Sequence, residues 1–320
     1  MTTRIPEPTP TAQGPAYEGR LLDRPDEEIV DQGASFDLRT LMSRRVLLGT
    51  GFVGIGSIAL AACAGGTSSS SPASSASASG AEIPDETAGP YPADGSNGPD
   101  VLIQSEIVRS DIRSSLRADD PVDGVPLEFT FTVIDMAGGN VPFAGAAVYA
   151  WHCDAQGRYS MYSEGVENET WLRGVQVADT DGTVTFTSII PGCYTGRWTH
   201  IHFEVYPDVE SITDSTNAIT TSQMALPENV LTGVYDLPAY DGSARNLSQI
   251  TLASDNVFGE DSAEHQMATM TGDIDTGYNA TLDVRIDTTT EPTGGGAPPA
   301  GGGGPGGEPP TGQAPAGLGS

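Results

Sequence analysis

The clearest periodicity in the chain is Leu127, Phe129, Phe131 and Val133, separated by Glu128, Thr130 and Thr132. A period of two puts the four apolar side chains on one face of a strand, predicted over 127–134. Asp135-Met136-Ala137-Gly138-Gly139-Asn140 then interrupts it with turn-forming residues, a hairpin signal. Residues 146–153 are a nearly unbroken apolar run, which predicts a strand buried on both faces. Alternation returns over 183–189, behind the turn Asp179-Thr180-Asp181-Gly182. Further strands are predicted at 199–206, 222–226 and 280–286, and helix only in short pieces near 211–216 and 227–232. Short strands punctuated by Gly, Pro and Asp turns predict an all-β fold, a β-sandwich with few short helices.

The pattern fails at both ends. Residues 1–42 are polar, rich in Pro, Asp and Glu, and without an apolar period, so a disordered extension is expected there. Over 43–63, Ser43-Arg44-Arg45 precedes an apolar, Gly- and Ala-rich run that ends in Leu60-Ala61-Ala62-Cys63. This resembles a twin-arginine export signal closing on a lipobox, with Cys63 lipidated. It implies an extracytoplasmic protein anchored to the cell membrane by lipid. The alternative, a spanning helix, is disfavoured by the short run and its glycines. Residues 64–80 read as a Ser/Ala-rich flexible linker, and 289–320 as a disordered Gly/Pro-rich tail. One folded domain is left, 81–288, ample for a core.

Charge narrows the choice of partner. The 320 residues carry a formal charge of −29, from 43 acidic residues against 14 basic ones, every one of them arginine. Such a chain is repelled by nucleic acid and by anionic lipid, which excludes a nucleic-acid function. Oligomeric state is not readable from the chain.

Two of the four histidines form the pair His200-Ile201-His202 on a predicted strand. Residues i and i+2 share a face, so both imidazoles project the same way. Tyr194 and Arg197 lie just upstream, on a segment opened by Pro191-Gly192. Imidazole suits iron, copper or zinc, while phenolate is a hard anionic donor that favours Fe(III). The plainer reading of an H-x-H pair is two histidines facing solvent. A second segment changes the balance: Trp151-His152-Cys153-Asp154-Ala155-Gln156-Gly157-Arg158 leaves a buried strand, turns, and presents Tyr159.

Taken together, Thr87-Ala88-Gly89-Pro90-Tyr91, Gly157-Arg158-Tyr159, Pro191-Gly192-x-Tyr194 and Arg197-x-x-His200-x-His202-Phe203 resemble the intradiol ring-cleavage dioxygenases, the family of catechol and protocatechuate dioxygenases, with Cys193 before the second tyrosine a departure. The resemblance spans most of the folded domain. It implies a prealbumin-like sandwich core and one mononuclear non-haem Fe(III) held by Tyr159, Tyr194, His200 and His202. It implies Tyr194 and His202 as axial ligands and Tyr159 and His200 as equatorial ones, with Tyr194 taking a proton from the arriving diol. It further implies Arg197 as an electrostatic catalytic residue and Gln223 as a polar pocket residue. The implied reaction cleaves an aromatic diol between its hydroxyls with O2 to a muconate-type dicarboxylate. Which catechol is cleaved is not readable. For Arg197, the alternative is a structural cation buried by a carboxylate.

Cys153 and Cys193 flank the two segments that must converge, so a disulfide between them is one expectation and two unpaired buried thiols the other. His152 reads as structural, His265 as a surface residue, and Tyr162 as a rival to Tyr159. A different class of function also fits the pattern Val141-Pro142-Phe143-Ala144-Gly145-Ala146 with Asp181-Gly182-Thr183-Val184: a non-catalytic prealbumin-like surface module binding a glycan or a protein. The two tyrosines and two histidines separate the readings, because a binding module has no need of them.

Overall fold

A computed structural model describes residues 9–11, 14–17, 20–21 and 80–294. Residues 43–63 with Cys63, the linker up to 79 and the tail from 295 lie outside the described residues. The chain divides into two units, 1–74 and 75–320. The first contains three short strands, β1 (Thr9–Thr11), β2 (Gly14–Tyr17) and β3 (Arg20–Leu21), paired in that order and antiparallel. This small sheet falls within the extension read over 1–42. Backbone pairing in a short meander requires tight turns rather than an apolar period, so periodicity does not announce it.

The second unit is a sandwich. One sheet has the order β10-β9-β6-β7, formed by β6 (Ala147–Trp151), β7 (Arg173–Val177), β9 (His200–Tyr206) and β10 (Thr220–Ala225). The other runs β11-β12-β4-β5, from β4 (Pro126–Asp135), β5 (Val141–Pro142), β11 (Thr269–Asp273) and β12 (Gly277–Ile286), with β8 (Thr183–Ile189) also pairing β4. All six predicted strands are present within a few residues. The alternating residues of β4 are the buried ones: Leu127, Phe129, Phe131 and Val133. Phe131 meets Phe203 of the facing sheet with ring centroids 4.6 Å apart, and Phe129 stacks on Phe186 of β8 at 5.0 Å.

Three strands of this unit were not foreseen: the two-residue β5, β7 and β11. β7 carries a glycine and a buried arginine, neither of which signals a strand. Its Gly174 is required by packing, since a Cβ there would lie 2.5 Å from Ile112 Cγ2. β11 is an almost wholly exposed edge strand, so it has no apolar face to read. Among the described residues, helix is limited to 3-10 turns and two short segments, α1 (Glu228–Val234) and α2 (Ser243–Leu247). Past the expected boundary at 288, Thr293 N still donates to Asp85 Oδ2 at 2.8 Å, so the ordered unit extends five residues further.

The four-stranded sheet is buried on both sides. Its inner face (Val148, Ala150, Ile201, Phe203, Val205) joins the inter-sheet core. Its outer face, with Tyr149, Trp151 and Tyr206, is covered by Ala88, Ala93, Val101, Leu102 and Ile107 of the preceding segment. Arg173, with no exposed surface, ties this cover down: its guanidinium donates to Tyr91 O, Pro92 O, Ser160 O and the hydroxyls of Ser160 and Tyr149.

Candidate metal centre

Strand β9 sets the geometry. All seven of its residues are buried, and His200 and His202 project from the outer face under the cover. Across the sheet one row reads Gln223, His202, Trp151, Arg173, in strand order β10-β9-β6-β7. Trp151 stacks on His202 with centroids 4.9 Å apart and planes 6° from parallel. On the open side of the ring, a Cβ at Gly89 would stand 3.2 Å from His202 Cε1. Gly89 also has a φ of +72°, so both backbone conformation and space call for glycine.

Two loops bring the phenols. Asp154 closes the turn before Tyr159, accepting from Gln156 N and Arg158 N and pairing with the Arg158 guanidinium. Gly192 lies against this turn, where a Cβ would sit 2.5 Å from Ala155 O, and the chain then delivers Tyr194. The four polar atoms form one continuous line of contacts. Tyr159 Oη is 3.4 Å from Tyr194 Oη, Tyr194 Oη is 3.2 Å from His200 Nε2, and His200 Nε2 is 3.0 Å from His202 Nε2.

These spacings fit a metal ion. Donors bound at about 2.0–2.1 Å and at right angles stand about 3 Å apart. His200 Nδ1 contacts Trp198 O, so its proton belongs on Nδ1 and its Nε2 lone pair faces the other donors. His202 Nδ1 is buried without a partner. Burial, with Arg197 adding to it, lowers His200 to about 3, and burial with the neighbouring His200 and Arg197 puts His202 well below its usual range. Both imidazoles are therefore neutral, the form that ligates. Burial also pushes the Tyr194 phenol up to about 12 and Tyr159 well above its ordinary value, with Arg197 opposing both. A cation among them would reverse that preference and favour phenolate. Among the described residues no three His, Cys, Asp or Glu side chains form a ligand cluster, so the set owes its size to tyrosine.

Beside the donors lies a polar chain. Arg197, 8% exposed, donates from Nε to Asp255 Oδ2 at 2.9 Å and from Nη2 to Gln223 Oε1 at 2.6 Å. Gln223 Nε2 donates in turn to Thr87 O at 3.0 Å. Arg197 is thus both paired with a carboxylate and joined to the row that contains His202.

Residues 97–213 match the family model described as Dioxygenase, a span that holds Tyr159, Tyr194, Arg197, His200 and His202. Among solved structures, the chain is similar to an intradiol ring-cleavage dioxygenase from Tetranychus urticae, with 23% identity and a TM-score of 0.51 over 67% of this chain and 98% of that one. The domain has the fold of an intradiol ring-cleavage dioxygenase. Another dioxygenase crystal structure aligns at 22% identity and a TM-score of 0.53, covering 67% of this chain and 97% of its own. A curated relative, chlorocatechol 1,2-dioxygenase of Rhodococcus opacus, is 38% identical over 79 residues, which are 25% of this chain and 29% of that protein. The chain thus matches less than a third of that relative's length.

Of the two expectations for Cys153 and Cys193, a bridge or two unpaired buried thiols, this intradiol dioxygenase fold has the second: both are free and buried. Each sulfur is turned toward a carbonyl instead, Cys153 Sγ to Gly192 O at 3.4 Å and Cys193 Sγ to Arg197 O at 3.5 Å. Tyr162 is engaged elsewhere, accepting from Ala93 N at 2.9 Å and donating to Asn97 Oδ1 at 2.8 Å. His152 is held by Cys153 O and Ser188 Oγ, both at 2.7 Å, in the core. His265 is half-buried rather than a plain surface residue. Asp255 was missed altogether. Among 43 acidic residues nothing local marks the one that folds inward beside Val257 and Phe258.

Proposed function

We propose that this domain is a non-haem iron intradiol dioxygenase that cleaves a catechol-type diol between its hydroxyls to a muconate-type dicarboxylate. The observation that carries the proposal is the unbroken 3.0–3.4 Å line of contacts linking Tyr159, Tyr194, His200 and His202. These four residues would hold Fe(III). Fe(III) there would supply a Lewis-acidic, electron-accepting centre for a deprotonated diol, the chemistry that makes an aromatic diol reactive toward O2.

The remaining work belongs to side chains. Tyr194, the half-buried member of the pair, would accept a substrate hydroxyl proton at Oη as a phenolate, and the enclosure of Tyr159 supports that choice. His200 and His202 stay neutral and oriented, one by Trp198 O and the other by the Trp151 ring. Arg197 supplies a fixed cation for negative charge that develops on the ring, an interaction of most value in the activated complex. Gln223 holds Arg197 Nη2 and lies opposite His202. Gly89 and the cover segment exclude water from the His202 side.

Metal analysis with a visible spectrum, then O2 uptake on a panel of catechols, tests this reading. Iron-replete protein is expected to be red-brown from tyrosinate-to-Fe(III) charge transfer, and Tyr159→Phe is expected to lose much of that absorption. Colourless protein with stoichiometric zinc would sink it. Export and lipid anchoring at Cys63 belong to the same proposal, supported by Arg44-Arg45 and Leu60-Ala61-Ala62-Cys63. Cys63→Ala is expected to abolish lipidation and membrane association. Unchanged association after signal processing would remove the anchor.

A further inference from the structure

We propose that Asp255 is the positioning residue of Arg197, so that turnover depends on a carboxylate 58 residues beyond the arginine it aims. The proposal rests on the dioxygenase reading for the reaction, but the contacts that carry it stand by themselves. Asp255 Oδ2 accepts from Arg197 Nε at 2.9 Å and from Trp198 N at 2.7 Å, and Oδ1 accepts from Val257 N at 2.8 Å and Phe258 N at 3.1 Å. One buried carboxylate therefore closes its own turn and clamps the loop between Tyr194 and His200.

The clamp reaches the donor set from two sides. Through Arg197 Nη2 and Gln223 it connects to the residue opposite His202. Through its turn it brings Phe258 to 5.9 Å from the Arg197 guanidinium and 6.3 Å from the His200 ring. The pairing is also single-sided. Asp255 engages the guanidinium at Nε, which leaves Nη2 for Gln223 instead of consuming the fork in a bidentate pair. A carboxylate serving only to neutralise a buried cation has no need of that division. Arginine has several rotatable bonds, and a catalytic cation displaced by an ångström forfeits rate on the order of 10²-fold. Holding Nε fixes the plane of the guanidinium before substrate arrives.

The test compares Asp255→Asn, Asp255→Glu, Arg197→Leu and the double variant Asp255→Asn/Arg197→Leu, each as full-length, iron-loaded protein. Asp255→Asn keeps an acceptor at Oδ1 for Val257 N and Phe258 N, but its amide nitrogen is a donor and cannot accept from Trp198 N or Arg197 Nε, so both the charge and the bond that hold Arg197 are lost. Its kcat is expected to fall roughly 10- to 10²-fold, with KM for the catechol and iron content within about twofold. In the Arg197→Leu background the same substitution is expected to change kcat by less than about twofold, because a residue acting through Arg197 has nothing left to act on. A loss of equal size in both backgrounds, or none in either, overturns the proposal. If Asp255→Asn fails to fold, Asp255→Glu takes its place, and unchanged kcat in that variant also overturns it.

A readout independent of activity separates this inference from the reaction itself. In metal-free protein with 15N-arginine, the Arg197 Nε–H signal, assigned by its disappearance in Arg197→Lys, is expected to exchange slowly in the parent and fast in Asp255→Asn. Equal protection in both overturns the positioning role whatever the activity. Absence of O2 uptake by the parent, together with the expected exchange difference, would condemn the dioxygenase reading while leaving Asp255 as the clamp of Arg197.

Discussion

The two faces of the four-stranded sheet are built on the same backbone and do opposite things. On β9, Ile201, Phe203 and Val205 enter the apolar core, while His200, His202, Glu204 and Tyr206 occupy the outer face with Tyr149, Trp151 and Gln223. Both faces are dry. On β9 the inner face is satisfied by shape alone, since Ile201, Phe203 and Val205 carry no polar side-chain atoms. The outer face carries buried polar atoms that need partners: Pro92 O serves Tyr149 and Thr87 O serves Gln223 from segments distant in sequence, Trp198 O serves His200 from two residues upstream, and His202 Nδ1 and Trp151 Nε1 find none among the described residues. Chemistry is concentrated where burial is completed by loops, because loops can bring unlike groups together and still leave an opening for a small molecule.

The sharpest way to separate the faces is to truncate neighbours on one strand. His202→Ala is expected to abolish iron retention and turnover while the far-ultraviolet circular dichroism stays that of the parent. Phe203→Ala, the next residue, is expected to cost ~3–5 kcal/mol in urea unfolding, as for a buried aromatic in a close-packed core. Iron content per folded molecule should survive in that variant. If His202→Ala unfolds the domain while Phe203→Ala is harmless, the division of labour is wrong.

A step down in size, Arg197→Leu is expected to retain iron, colour and the catechol-induced spectral change, yet lose roughly 10²-fold in kcat, the scale of one electrostatic donor. Arg197→Lys should recover only part, since an ammonium does not reproduce a planar guanidinium held at two nitrogens. Full activity in Arg197→Leu would reduce the arginine to a structural cation.

The smallest effect is a pH dependence carried by Glu204. Burial and then the negative charge of Asp94 raise this outer-face carboxyl to about 8, while Tyr206 Oη donates to it at 2.8 Å. The folded state holds the proton more tightly than the unfolded chain does. Its contribution is therefore fully present below the unfolded carboxyl range near pH 4.5 and is lost as pH rises through about 8. Glu204→Gln keeps an acceptor for Tyr206 and should flatten the fall in thermal midpoint between pH 5 and pH 9, a window about as wide as the shift. An unchanged slope in Glu204→Gln would show that other groups carry that dependence.

The strands of the sandwich were legible because period-two alternation is a local property. Leu127 to Val133 need only a buried face and an exposed one to declare themselves. β7 and β11 were not legible, for opposite reasons: one buries an arginine against carbonyls and hydroxyls, and the other buries almost nothing. In the candidate site, His200 and His202 follow from strand geometry alone. Tyr159 and Tyr194 needed the resemblance carried by their flanking Gly-Arg and Pro-Gly turns.

By itself, then, the sequence determined the all-β class, the shared face of the two histidines and the segments from which the phenols come. These rest on short-range rules of alternation and turn chemistry, which act within about ten residues. Only the tertiary structure decided which tyrosine of Tyr159 and Tyr162 meets the histidines, that Cys153 and Cys193 stay unpaired, and that Asp255 reaches Arg197. Each of those outcomes depends on where a side chain from one loop meets a compatible partner on another. Such pairings are set by the packed arrangement of the loops, and no local pattern encodes them.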